Sequence, residues 1–226
     1  MAIKLESEIL FPNVLWTTTE LDVDRKWLKD YTDICRKEDP IGVIKTNGGG
    51  WQSQAFTNDK FEHPKMPPEM KNFKDKLDEV VFDASNQMGF PKLIMDGLWF
   101  NINGYKDYNK EHNHLNSLIS GVYYPSVSEP DKMGEITFLR TDGGEYFITS
   151  IYEKGYLNDV DITTNTAVTV AQIPEDGLLL LFPGWLKHYV NTNLSKSERY
   201  SISFNYVVSN WRKSINTRNE WIRLKA

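Results

Sequence analysis

Arg199-Tyr200-Ser201-Ile202-Ser203-Phe204-Asn205-Tyr206-Val207 alternates without a break. Successive side chains of an extended chain point to opposite faces. Arg199, Ser201, Ser203 and Asn205 therefore share one face, and Tyr200, Ile202, Phe204 and Tyr206 the other. The aromatic face needs a core to pack against. The polar face has two readings. It is exposed to solvent while the other packs, or it points inward, where unpaired polar groups are expensive. A bound carboxylate would resolve the second case, because arginine supplies a rigid fork of donors and serine adds another.

The same period of two runs outward from this strand. Leu98, Phe100 and Ile102 alternate with Trp99, Asn101 and Asn103. Further strands are predicted at Leu118–Tyr124, Gly134–Leu139, Glu145–Tyr152, Thr166–Ala171 and Gly177–Phe182, with Gly and Pro between many of them. Before residue 92 the period is helical. After a short extended stretch, Ile9–Trp16, Asp22 or Asp24 can cap a helix carrying Trp27, Leu28, Tyr31, Ile34 and Cys35. Pro67 and Pro68 precede a second apolar stripe of Met70, Phe73, Leu77, Val80, Val81, Ala84 and Met88, which Gly89–Pro91 ends. Helices followed by many strands predict a mainly β antiparallel sandwich or barrel with supporting helices. No repeat or linker interrupts the chain. One domain over 1–226 is expected, with helical support in 22–88 and a β core at about 93–208.

Composition narrows the function classes. The chain has 226 residues, 40% hydrophobic and 25% charged, which suits a folded globular protein rather than a disordered one. A net charge of −5 disfavours a generally basic nucleic-acid surface. The basic residues at Trp211–Lys213, Arg218, Arg223 and Lys225 read as a solvated terminus. The aromatic tail could dock on its own sheet or on another subunit, which leaves a homo-oligomer open. One cysteine, Cys35, rules out an internal disulfide and fits a reducing compartment. With no histidine near it in sequence, it reads as a small core residue. No apolar run approaches a membrane span. A cytoplasmic protein without a membrane partner is the expectation.

The four histidines carry the chemistry: His63, His112, His114 and His188. In an extended Glu111-His112-Asn113-His114 the two imidazoles point the same way and can share one ion, with Asn113 facing away. His188 follows a separate strand, and a sheet can bring it to them. Neutral imidazoles suit iron, zinc, copper and nickel. A solvated strand face or a hydrogen-bonded cluster explains the same pattern without a metal. His63, among Phe, Pro and Lys, reads as a loop residue.

Several ordered stretches together resemble the iron(II)- and 2-oxoglutarate-dependent oxygenases, and in particular a phage and bacterial group of small members. They are Asn47-Gly-Gly-Gly-Trp-Gln-Ser53, His112-Asn-His-Leu-Asn-Ser-Leu-Ile-Ser-Gly-Val-Tyr-Tyr124, Gly134-Glu-Ile-Thr-Phe138, Pro174–Gly177 through Phe182-Pro183, and His188 followed by Arg199-Tyr200-Ser201. The resemblance implies a double-stranded β-helix, or jelly roll, with Fe(II) at its open end. It implies His112 and His188 as ligands, and it puts His114 where the family has Asp. Glu111 is a substitute carboxylate of the wrong strand parity. Arg199 matches the anchor of the 2-oxoglutarate distal carboxylate, Ser201 completes an Arg-x-Ser signature, and Tyr124 resembles a tyrosine that assists that carboxylate in prolyl-hydroxylase-like members. Strand packing explains Tyr124 equally simply. Asn101 and Asn103 are candidates to line the cavity. The activity implied is hydroxylation of a small-molecule or protein substrate by molecular oxygen, with 2-oxoglutarate converted to succinate and carbon dioxide. A phage-encoded enzyme would act in the host cytoplasm.

Two other classes remain open at this point. A cupin-like three-histidine metalloenzyme without 2-oxoglutarate explains the histidines as well but the Arg199/Ser201 face less well. A noncatalytic jelly-roll binding or virion-associated protein would be favoured by histidine segments lying far apart. Gly48-Gly49-Gly50 lacks the Gly-Lys-Ser/Thr ending of a phosphate loop, and is expected to form a folded loop near substrate.

Overall fold

The computed structural model describes residues 11–155 and 161–209. Ile9 and Leu10 of the first expected extended stretch, and the basic tail from Trp211, lie outside the described residues. Described residues begin with β1 (Trp16–Thr18), α1 (Arg25–Glu38), β2 (Asn47–Gly48), β3 (Trp51–Gln52), α2 (Asn58–Glu62) and α3 (Pro68–Gln87). Strands β4 (Leu93–Asn103), β5 (Tyr108–His112), β6 (Ile119–Ser126) and β7 (Ile136–Leu139) follow, then α4 (Gly144–Glu153). The last elements are β8 (Thr169–Gln172), β9 (Leu179–Pro183), β10 (His188–Val190) and β11 (Arg199–Val208).

Among the described residues the strands form two antiparallel sheets. One has the order β1-β9-β6-β11-β4-β3, the other β2-β5-β10-β7-β8. Together with the helices they give a mixed fold resembling the double-stranded β-helix proteins. The alternation read in β11 organises the layers. Tyr200, Ile202, Phe204 and Tyr206 join Leu98, Phe100 and Ile102 in a core with Leu28 of α1 and Met70, Phe73, Leu77 and Val81 of α3. On β6 and β9, Tyr123, Leu179 and Leu181 face this helical layer. Val122, Tyr124, Leu180 and Phe182 face a second core with Ile136 and Phe138 of the other sheet. Each such fully buried side chain contributes roughly 1.5–3 kcal/mol, so both faces of the larger sheet are firmly covered.

The helices start where the sequence indicates. The Asp24 side chain accepts from the Trp27 N–H at 2.9 Å and caps α1. Pro68 opens α3, where its missing N–H costs nothing. One expectation fails. Glu145–Tyr152 is not a strand but lies within α4. Phe147, Ile148 and Ile151 suit helical spacing as well as a short strand, and a run of this length does not distinguish the two periods. Gly143, at φ 81°, breaks the preceding extended chain, and the Asp142 side chain accepts from the Gly144 N–H at 2.9 Å.

Candidate metal centre and its cavity

The two sheets enclose a cavity of about 700 Å³ lined by residues from both. The histidine motif reaches it in two steps. His112 ends β5 and sits directly opposite His188, the first residue of β10, so a cross-strand pair brings the two imidazoles to a centroid distance of 4.4 Å. His114 lies two residues beyond β5. Its backbone N–H donates to the Gly184 carbonyl at 2.7 Å. Gly184 permits this approach, because a Cβ there would lie 2.3 Å from the Ser117 oxygen and 2.8 Å from that of His114. The His114 ring lies 5.2 Å from that of His112 and 5.3 Å from that of His188.

Each imidazole is oriented through Nδ1. His112 Nδ1 meets the Lys110 carbonyl at 2.7 Å, His188 Nδ1 the Leu186 carbonyl at 2.9 Å, and His114 Nδ1 the Asn205 Oδ1 at 2.7 Å. A carbonyl can only accept, so these contacts place the proton on Nδ1 and leave the Nε2 lone pair free. Ligand atoms of the three lie within 4.8 Å of one another. The Nε2 of His114 is buried with no hydrogen-bond partner among the described residues, an orphan that a metal ion would satisfy.

The surroundings keep the rings neutral. Burial, then the neighbouring His112, pulls His114 down to about 4 and His188 to about 3. Burial lowers His112 as well. Trp99 stacks on His114 at 5.8 Å, and Phe182 and Phe138 pack on His188 at 4.8 and 5.9 Å. Metal ligation needs the unprotonated imidazole, so the donor set fits a divalent transition metal. Among the described residues the cluster contains no carboxylate. Glu111 points away and pairs with Lys187 at 2.5 Å, as its strand parity indicates.

The other end of the cavity is built around Arg199, 1% exposed. Its Nη1 donates to the Met133 and Gly134 carbonyls at 2.5 and 2.7 Å, and its Nη2 to Asn103 Oδ1 at 2.9 Å. The Nε–H has no partner among the described residues. Ser201 and Tyr124 line the same cavity. Burial raises the Tyr124 hydroxyl above its ordinary range, opposed by the nearby Arg199 charge. The inward reading of the polar face thus holds, since Arg199, Ser201, Ser203 and Asn205 all border the cavity. Of the two asparagines on β4, Asn101 lines it, and Asn103 instead stands behind the arginine.

The glycine-rich stretch forms the β2–β3 turn. Gly49 and Gly50 take φ 78° and 67°, and a Cβ on Gly49 would lie 2.0 Å from Asp107 Oδ1. Gln52 and Ser53, just beyond the turn, line the cavity. His63 is exposed and accepts from the Lys65 N–H. Cys35 lies outside the cavity lining, and burial, with Glu38 nearby, pushes its thiol up to about 11. Sequence reasoning had no role for Asn205 or Ser120 behind His114, or for Trp99 against it. Their only signal was the parity of three separate strands.

Residues 97–205 match the family described as "Putative 2OG-Fe(II) oxygenase". Curated protein sequences gave no match. Among solved structures, the chain is similar to a prolyl-4-hydroxylase from Pseudomonas putida, with 13% identity, a TM-score of 0.57 and coverage of 87% of this chain and 93% of that one. It is similar to the viral collagen prolyl hydroxylase of Paramecium bursaria Chlorella virus-1, at 13% identity and TM-score 0.52 over 86% and 96% of the two chains. HygX from Streptomyces hygroscopicus, with nickel and 2-oxoglutarate bound, matches at 13% identity and TM-score 0.57 over 87% and 83%. At such identities the structural likenesses speak for the fold alone. The matched span carries His112, His114, His188 and Arg199, and over it the chain is similar to the iron(II)- and 2-oxoglutarate-dependent oxygenases.

Proposed function

We propose that this protein is a metal-dependent oxygenase whose ion, iron(II) by family, is held by His112, His114 and His188. The observation that carries the reading is the convergence of three Nδ1-anchored imidazoles on one cavity without a carboxylate. Three neutral ligands leave the full charge of a divalent ion uncompensated, unlike the two-histidine, one-carboxylate set. That favours capture of an anionic substrate or cosubstrate at the ion. Bound iron would supply dioxygen activation. The chain's own part is to orient the ligands, to keep their lone pairs unprotonated and to wall the site with Trp99, Phe138 and Phe182.

A second reading adds 2-oxoglutarate as cosubstrate and hydroxylation as the outcome. It is favoured by one specific observation, the unpartnered Nε–H of buried Arg199 at the same cavity. In this reading Arg199, Ser201 and Tyr124 hold the distal carboxylate. Against it, three donor contacts of the guanidinium already go to protein oxygens. The noncatalytic reading would have been favoured by separated histidine segments, and these segments meet.

The proposal takes the chain as one jelly-roll unit over 1–226 acting in the cytoplasm. Among the described residues no helix is long and apolar enough to cross a membrane. Anaerobic calorimetry with Fe(II), then with 2-oxoglutarate on the loaded protein, tests both readings. Failure to bind Fe(II) rejects the metal centre. Binding of Fe(II) with no affinity for 2-oxoglutarate selects the three-histidine enzyme. Binding of both, with succinate formed when substrate is added, selects the hydroxylase.

A further inference from the structure

His114 differs from its two neighbours in what holds it. His112 and His188 direct Nδ1 at backbone carbonyls two residues earlier, Lys110 and Leu186. His114 has no such carbonyl and relies on the side chain of Asn205, which reaches it from β11 at 2.7 Å. A carboxamide can present either its oxygen or its nitrogen. The choice decides the tautomer. Oxygen toward His114 puts the proton on Nδ1 and the lone pair on Nε2. Nitrogen toward it would put the proton on Nε2, which is buried and has no acceptor among the described residues.

Ser120 stands opposite Asn205 across the β6–β11 pair and donates from Oγ to the same Oδ1 at 2.8 Å. The amide oxygen thus receives two donors at once. We infer that Asn205, whose amide oxygen also accepts from Ser120, is the positioning residue that makes His114 an Nε2 metal ligand. It supplies by side chain the neutral acceptor that the other two histidines take from the backbone. The metal-binding half of this inference rests on the three-imidazole reading. The tautomer half is a property of the metal-free protein and stands independently.

The experiment uses the full chain without metal. Long-range ¹H–¹⁵N correlation spectra should show His114 protonated at Nδ1. Asn205→Leu should abolish that single tautomer, and it should weaken Co(II) binding, followed by visible absorption, by about 10- to 100-fold. Asn205→Asp keeps an acceptor oxygen facing both donors. It should retain the Nδ1–H tautomer and bind Co(II) at least as well as the parent. An unchanged His114 signature in N205L overturns the inference. So does loss of that signature in N205D, which also serves as the test if N205L does not fold. The expected tautomer pattern in a protein that never binds Co(II) upholds the role of Asn205 while rejecting the metal reading.

Discussion

The histidine end and the arginine end of the cavity handle buried polarity in opposite ways. Each imidazole spends one nitrogen on an anchor and keeps the other for a ligand. The guanidinium spends most of its donors on the protein itself and keeps one Nε–H unpartnered. The first arrangement leaves three nitrogens that could hold an ion. The second is a structural tie between β11, β4 and the segment at Met133–Gly134, with a remnant of binding capacity. A buried donor or acceptor left unpaired costs about 1–3 kcal/mol. Removing a residue from each end should therefore separate function from stability.

The largest effect is expected at the histidine end. His112→Ala and His188→Ala each remove one of the three proposed ligands and should reduce Fe(II) affinity beyond measurement while the circular dichroism spectrum stays native. His114→Ala should weaken the site strongly as well. His114→Asp supplies the carboxylate that the cluster lacks and should retain Fe(II). Normal affinity in H112A or H188A would remove that residue from the centre, and normal affinity in H114A would reduce the centre to two histidines.

At the arginine end the expected order is reversed. Arg199→Ala strands the Met133 and Gly134 carbonyls and Asn103 Oδ1, and should lower unfolding free energy by more than about 3 kcal/mol. Fe(II) affinity should survive in whatever fraction folds. Arg199→Lys keeps the charge without the planar fork and should fall between the two in urea unfolding. An R199A protein as stable as the parent would show that the arginine is held in place for a ligand rather than for the fold.

This asymmetry also marks what could be read in the sequence. The strict alternation of β11 gave the division into an aromatic and a polar face, since that information is local, but not whether the polar face points to solvent or inward. The HxH spacing gave the proximity of His112 and His114 for the same reason. The pairing of His112 with His188 could only be surmised, because it depends on β10 lying between β5 and β7. The acceptors that consume Arg199 come from Met133, Gly134 and Asn103, and nothing in the sequence paired these residues with the arginine. At α4, a ten-residue segment with apolar residues at mixed spacing was read with the wrong period.

Acidity offers an intermediate test of the contrast. His114 and His188 sit at about 4 and 3 in the folded protein, below the ordinary 6.5. Above 6.5 neither state takes up a proton there, so the full contribution of the neutral buried rings is present. As pH falls below 6.5 the unfolded chain protonates first and stability is lost, down to the folded values. The slope is at most about 1.4 kcal/mol per pH unit for each histidine. The metal-free protein should therefore melt at steadily lower temperature from pH 7 to pH 4. H114A should show a shallower fall. A flat profile in the metal-free parent would mean that the histidines are not buried as neutral rings.

The smallest effects should come from the two hydroxyls beside Arg199. Tyr124→Phe and Ser201→Ala each remove one hydrogen-bonding group from the cavity wall and leave the packing nearly unchanged. Neither hydroxyl is among the buried groups left without a partner, unlike the Arg199 Nε–H. The stability cost should thus stay below about 1 kcal/mol. If the arginine end receives a carboxylate, each variant should lose about five- to tenfold in affinity for 2-oxoglutarate, roughly one net hydrogen bond. Fe(II) affinity should not move, because the hydroxyls stand with the guanidinium and not with the imidazoles. Equal 2-oxoglutarate affinity in the parent, Y124F and S201A would leave the arginine end a purely structural tie, and the chemistry would rest on the three histidines alone.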